Sequence, residues 1–169
     1  MNIVFSATAE GEFSGPKLDL KCAIGKGGMK DAAAKREGDG VSPIGRWEMK
    51  RVFYRADKVT APETNLPLVP IKKTDGWCDD PADPLYNQHV TLPYPASHEE
   101  LWRKDNVYDI IVELGHNDDP PVPGLGSAIF LHVAKADYAP TEGCIALSEI
   151  DLRSALALAG PGAVLEISG

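Results

Sequence analysis

The sequence has no apolar run approaching the roughly 18–20 residues a helix needs to cross a bilayer, so no membrane insertion is expected. Residues 1–9 lack the basic start and apolar stretch of an export signal, which fits either a cytoplasmic chain or a mature form whose signal is missing. Positive charge is scarce: 17 Lys and Arg stand against 25 Asp and Glu, for a net charge of −8 and a pI near 4.9. No basic cluster interrupts that background, which argues against a phosphate-backbone surface or adhesion to anionic lipid. No nucleic-acid partner is therefore expected. Cysteine is limited to Cys22, Cys78 and Cys144, so any pairing leaves one thiol over. A Cys22–Cys78 bridge suits an oxidising compartment, but Cys22 reads better as a small buried hydrophobe in a strand. Repeats and low-complexity tracts are absent. So is the close His spacing of a zinc site, and Gly25-Lys-Gly-Gly28 lacks the Gly-Lys-Ser/Thr of a phosphate loop. No metal is expected.

Glycine and proline, by contrast, are plentiful, at 16 and 14 of 169 residues, and favour turns and short strands over long helices. Alternating apolar residues predict strands over 3–8, 18–24, 45–53, 88–92, 108–114, 127–133, 143–147 and 163–167. The expected fold is mainly β, a β-sandwich or barrel-like structure with one or two short helices, forming a single domain over 1–169. Ser97-His-Glu-Glu100 has the spacing of a capping box and predicts a helix to about Lys104. Ser148-Glu-Ile-Asp151 predicts a second helix over 149–159, stopped by Gly160-Pro161 and buttressing the strand before it. Residues 56–85 show little periodicity and read as a functional loop, since Trp77 is an unlikely passenger in a disordered segment. The proline-rich stretch 117–124 reads as a stiff wall near the site.

The chemistry concentrates between residues 126 and 147. His132 ends one apolar strand, and Thr141-Glu-Gly-Cys144 opens another twelve residues later. Adjacent strands joined this way can bring an imidazole within reach of a thiol. A cysteine at its free pKa of about 8.5 is mostly protonated at neutral pH, so a nearby base makes it a nucleophile. Gly143 lets the chain turn and leaves room for a carbonyl oxygen to meet the amides of Gly143 and Cys144. Taken alone, the pair fits equally a buried structural Cys beside a satisfied core His.

The His132 … Thr141-x-Gly-Cys144 arrangement resembles the catalytic domain of the L,D-transpeptidases, called YkuD-like. Pro43-Ile-Gly-Arg-Trp47 is similar to a strand of that family, and Gly76-Trp-Cys-Asp-Asp-Pro81 and the block from Tyr108 to Asn117 look like parts of one subgroup. The resemblance implies a mostly β enzyme that crosslinks peptidoglycan through a cysteine acyl-enzyme, needs no metal or organic cofactor, and works in the periplasm or cell envelope. Its partners would be donor and acceptor peptide stems. Carried over, Cys144 attacks the donor carbonyl, His132 activates it, and Val133 supplies a carbonyl for the second ring nitrogen. The Gly143 and Cys144 amides hold the oxyanion, and Thr141 shapes the turn.

Two positions depart from the usual pattern: Glu142 stands where many members have a second His, and Ala146 where many have Arg or Asn. Glu142 disfavours a thiolate and needs a partner, either an acceptor ammonium or His116. The donor bond stays open between the usual one after the third-position diamino acid and one after the first-position L-Ala. Trp77, Asp79, His116 and Asn117 are further candidates for substrate contact, each with a structural alternative. Competing functions are hydrolysis of the same bonds by an L,D-carboxypeptidase or endopeptidase, and a non-catalytic wall-binding module. A papain-like hydrolase is disfavoured because its Cys precedes its His.

Overall fold

The computed structural model describes residues 2–169. Its strands are β1 (Val4–Thr8), β2 (Glu12–Gly15), β3 (Leu18–Lys21), β4 (Met29–Asp31), β5 (Ser42–Tyr54), β6 (Leu68–Pro70), β7 (Asp75–Cys78), β8 (His89–Thr91), β9 (His98–Glu100), β10 (Ile110–Leu114), β11 (Phe130–Val133), β12 (Ile145–Leu147) and β13 (Val164–Ser168). One α-helix, α1 (Glu149–Leu158), lies between β12 and β13. Ten strands form one sheet in the order β12-β11-β10-β5-β13-β1-β2-β3, with β4 and β6 also paired to the long β5. Just past β3, Ala23 and Ala146 exchange backbone bonds of 2.8 and 3.0 Å, joining the two ends of that order. The mainly β, barrel-like expectation is met.

Strand alternation divides β10 and β11 between two cores. Val112, Leu114, Leu131 and Val133 face the interior with Phe5, Met49, Ile145 and Leu165, while Ile111 and Phe130 face a second cluster with Phe53, Trp77, Leu101 and Tyr108. Over that second cluster lies a small sheet of order β8-β7-β9. With both faces covered, β10 and β11 are buried at every position. His132 shares the parity of Phe130 and so points to the side of the small sheet.

Helix α1 begins where Ser148 Oγ accepts the Asp151 amide at 3.2 Å, and it ends before Gly160-Pro161. Leu152, Ala155 and Leu156 are buried, and the helix contacts β11, which contains His132, and β12, which follows Cys144. The helix predicted from Ser97 does not form: His98–Glu100 is strand β9, paired antiparallel with β7. A capping box is worth about 1 kcal/mol. Pairing with β7 and full burial of Leu101 outweigh it. The segment 56–85 likewise contains β6 and β7, and β7 is buried at all four positions, so it shows no alternation to read.

All three cysteines are free thiols, and Cys22 lies in the main core as a buried apolar residue. No helix among the described residues is long and apolar enough to cross a membrane.

Candidate active site

Strands β11 and β12 run parallel, with His132 opposite Ala146. Cys144 precedes Ala146 by two residues, which puts its side chain on the face that His132 occupies. Barrel closure fixes the turn before it, because Lys26 N–H donates to Thr141 O and Thr141 N–H to Ile24 O, at 2.8 and 2.9 Å. His132 and Cys144 both line one cavity of about 500 Å³, between the barrel edge and the small sheet.

The imidazole is oriented by its own strand: His132 Nδ1 lies 2.9 Å from Val133 O, so Nδ1 carries the proton and Nε2 is the free base. The Tyr108 ring meets it edge-on at 5.4 Å. Burial pulls the His132 pKa down to about 4, with the Val133 carbonyl acting in the opposite direction. Cys144 is 7% exposed. Its Sγ donates to Ala128 O at 3.2 Å and accepts the Phe130 amide at 3.3 Å. Burial pushes the thiol up to about 12; the Phe130 amide opposes this, and the charge of Glu99 adds to it. Burial thus disfavours the charged form of both groups, the thiolate and the imidazolium alike.

The turn is held from two sides. Thr141 Oγ1 accepts the Gly143 amide at 3.1 Å and donates to Cys144 O at 2.6 Å. Ser42 Oγ donates to Gly143 O at 2.7 Å and accepts the Gly25 amide at 2.9 Å. Gly143 has φ +133°, and a Cβ there would stand 2.9 Å from Val41 O. Gly143→Ala is expected to cost about 1–3 kcal/mol of backbone strain plus that contact. A nucleophile displaced by 1 Å loses about 10²-fold in rate. A fall in Tm of several degrees together with that loss is the expected result, read by calorimetry and by acylation of Cys144.

Of the remaining candidates, Thr141, Glu142 and Asp79 line the cavity, whereas Trp77, His116 and Asn117 do not. Glu142 is exposed and pairs with Lys26 at 2.8 Å, so its partner in this structure is not His116. Trp77 is buried edge-on against Phe130, its Nε1 donating to Asn87 Oδ1 at 2.9 Å. His116 is buried against Trp47. Asn117 Nδ2 donates to Val122 O and Gly126 O, at 3.0 and 2.9 Å, and Asn117 Oδ1 accepts the Val122 amide at 2.8 Å. That clamp fixes the proline-rich loop, yet no residue of 117–124 reaches the cavity.

Sequence reasoning passed over Tyr108, Glu99, Arg103, Lys35 and Glu37, all of which line it. Glu99 was masked by the capping-box pattern, and the others carry no spacing signal. Among the described residues, no three His, Cys, Asp or Glu side chains converge to hold a metal ion.

A family model described as the L,D-transpeptidase catalytic domain, YkuD, matches residues 10–167. Among curated proteins, none matches the sequence. The crystal structure of Mycobacterium tuberculosis L,D-transpeptidase 1 is similar at 12% identity and a TM-score of 0.43, covering 99% of this chain and 62% of that one. The present chain thus spans less than two thirds of that protein's length.

Proposed function

The chain belongs to the L,D-transpeptidase catalytic domain family, and on that premise we propose that residues 1–169 form one catalytic domain that crosslinks peptidoglycan stems through a Cys144 thioester. The observation that carries this reading is the orientation of His132. Its Nδ1–H is spent on Val133 O, which leaves Nε2 as a base in the cavity that also holds Cys144.

In the first half-reaction Sγ turns from Ala128 O towards Nε2 and gives up its proton as it attacks the donor carbonyl. The Cys144 amide stabilises the oxyanion; the Gly143 amide, already bonded to Thr141 Oγ1, serves instead to hold the turn. The carbon–nitrogen bond breaks, and the imidazolium returns the proton to the leaving amine. In the second half-reaction an acceptor amine attacks the thioester, loses its proton to His132, and the thiol is released. Substrates of this kind place the enzyme in the cell envelope.

The bond cut runs from an L to a D centre, after either the third-position diamino acid or the first-position L-Ala. Incubation with disaccharide-peptide fragments and fragmentation mass spectrometry separates the possibilities. A crosslinked dimer is expected, and the residues lost from the donor identify the bond. Trimmed monomers alone would replace the transferase with a hydrolase of the same thioester. No change with any fragment would leave a non-catalytic wall-binding module.

A further inference from the structure

Ala128, just before β11, has φ +53°, in the left-handed region that residues with a Cβ avoid. The β10/β11 register ends at Phe130, so the ladder fixes Phe130 but does not reach Ala128. What holds Ala128 is the buried side chain of Asn87, in the connection between β7 and β8. Asn87 Oδ1 accepts the Ala128 amide at 3.0 Å and the Trp77 indole N–H at 2.9 Å. Asn87 Nδ2 donates to His116 O at 3.0 Å and to Asn117 O at 2.7 Å. Both donors and both acceptor positions of that amide are thereby used. Asn87 itself sits at φ +57°, which asparagine tolerates, and its backbone N–H donates to Cys78 O at 2.9 Å. Beside it, the Tyr86 hydroxyl accepts the Gly126 amide at 3.0 Å, so two consecutive residues clamp the segment 126–128.

The clamped residue bears directly on the nucleophile. Among the described residues, Cys144 Sγ has two hydrogen bonds: it donates to Ala128 O and accepts the Phe130 amide. Their effects are opposite, because an N–H on sulfur favours the thiolate, whereas a carbonyl that takes the S–H favours the neutral thiol. A thiol proton held on Ala128 O is also not on His132 Nε2. The amide comes from the ladder, and the carbonyl from a strained peptide outside it. Such a conformation persists only while its surroundings enforce it, and without enforcement the left-handed region is disfavoured about 5–30-fold for an alanine.

We propose that Asn87 is a positioning residue that locks the Ala128 carbonyl against Cys144 and so keeps the thiol proton on that carbonyl, off His132, in the free enzyme. The role of Cys144 as nucleophile rests on the acyl-transfer reading; the lock itself does not. Asn87 does not line the cavity of Cys144 and His132, so it acts through Ala128 and not on a substrate. Releasing the lock leaves the Phe130 amide in place and removes the acceptor, which makes the thiol more reactive, not less.

The test reads the thiol itself and needs no turnover. The infrared S–H stretch of Cys144, taken as the difference between each protein and its Cys144→Ala counterpart, is expected in the wild type below the frequency of an unbonded thiol. Asn87→Gly removes the clamp while suiting the positive φ at that position. There the stretch should rise to the unbonded frequency. Alkylation of Cys144 by iodoacetamide at neutral pH, located by peptide mass spectrometry, should accelerate about 2–10-fold, the worth of one hydrogen bond. Cys22 and Cys78, both buried, serve as internal monitors of general opening. Adding Ala128→Gly should bring stretch and alkylation back to within about twofold of the wild type, because glycine takes the left-handed region as readily as the right-handed one. Simple loosening would instead drive alkylation higher still. The titratable groups around the thiol, His132, Tyr108, Glu99, Lys35 and Glu142, are the same in all these proteins. An unbonded stretch in the wild type, an unchanged thiol in folded Asn87→Gly, or a further rise in the double variant overturns the proposal. If Asn87→Gly does not fold, Asn87→Asp carries the test: it keeps the acceptor oxygen and should leave the thiol as in the wild type, and a freed thiol there overturns the lock. A lock found in a protein that never crosslinks would sink the acyl-transfer reading and leave this inference standing.

Discussion

Cys144→Ala is expected to abolish both the acyl-enzyme and every crosslinked product, and Cys144→Ser to retain less than about a thousandth of the wild-type rate. The serine would inherit the Phe130 amide and the Ala128 carbonyl as neighbours. A hydroxyl, however, is far less acidic than a thiol and forms a poorer leaving group in the second half-reaction. Intact-mass measurement after incubation with disaccharide-peptide donor reads this directly: one adduct on the wild type and none on Cys144→Ala. Cys22→Ala is the matched control. Cys22 also has a thiol raised by burial, to about 11, but it lies in the main core and does not line the cavity. Its loss should cost some packing and leave the adduct intact. An adduct surviving in Cys144→Ala would remove the nucleophile from the proposed mechanism.

How far the sequence foretold this site depends on what each residue is answerable to. The strands expected over 108–114 and 127–133 were legible from their apolar residues, and β10 and β11 form inside those spans, although both are buried on both faces rather than alternating. Helix α1 was legible from its cap and its breaker, both local chemistry. Strand β9 was not: Ser97-His-Glu-Glu100 carries a real helical preference, which pairing with β7, twenty residues away, overrides. That override also hid Glu99, since only the sheet register turns its side chain towards the cavity. The Cys144 turn was legible in its residue types, but the capture of the Gly143 amide by Thr141 Oγ1 is a matter of ångströms. Trp77, His116 and Asn117 drew notice as polar or aromatic residues near turns. Each instead spends its polar atoms or its bulk on holding neighbouring segments in place.

His132→Gln separates a base from a mere neighbour. With the imidazole pKa near 4, the wild-type acylation rate should rise with pH around 4 and then stay level through neutrality, because Nε2 is already unprotonated. The thiol cannot supply the nucleophile unaided: at about 12 its pKa leaves roughly one part in 10⁵ ionised at pH 7. Glutamine can still donate to a carbonyl but cannot take a proton, so the rate at pH 7 should fall by about 10²–10⁴. What activity remains should then climb about tenfold per pH unit, tracking the thiolate fraction. A level profile in the variant would mean that some other group accepts the proton. Stability carries the same signature with a definite sign. A histidine whose pKa is depressed on folding binds more protons when unfolded, so its cost is absent above the unfolded value of about 6.5 and grows as pH falls towards 4. Burial lowers His116 as well, also to about 4, so the two rings act together in that window. Each contributes on the order of 3 kcal/mol of acid destabilisation by pH 4. His132→Gln should remove about half of that pH dependence from the denaturation midpoint while removing nearly all of the acylation, a division that a purely structural histidine would not produce.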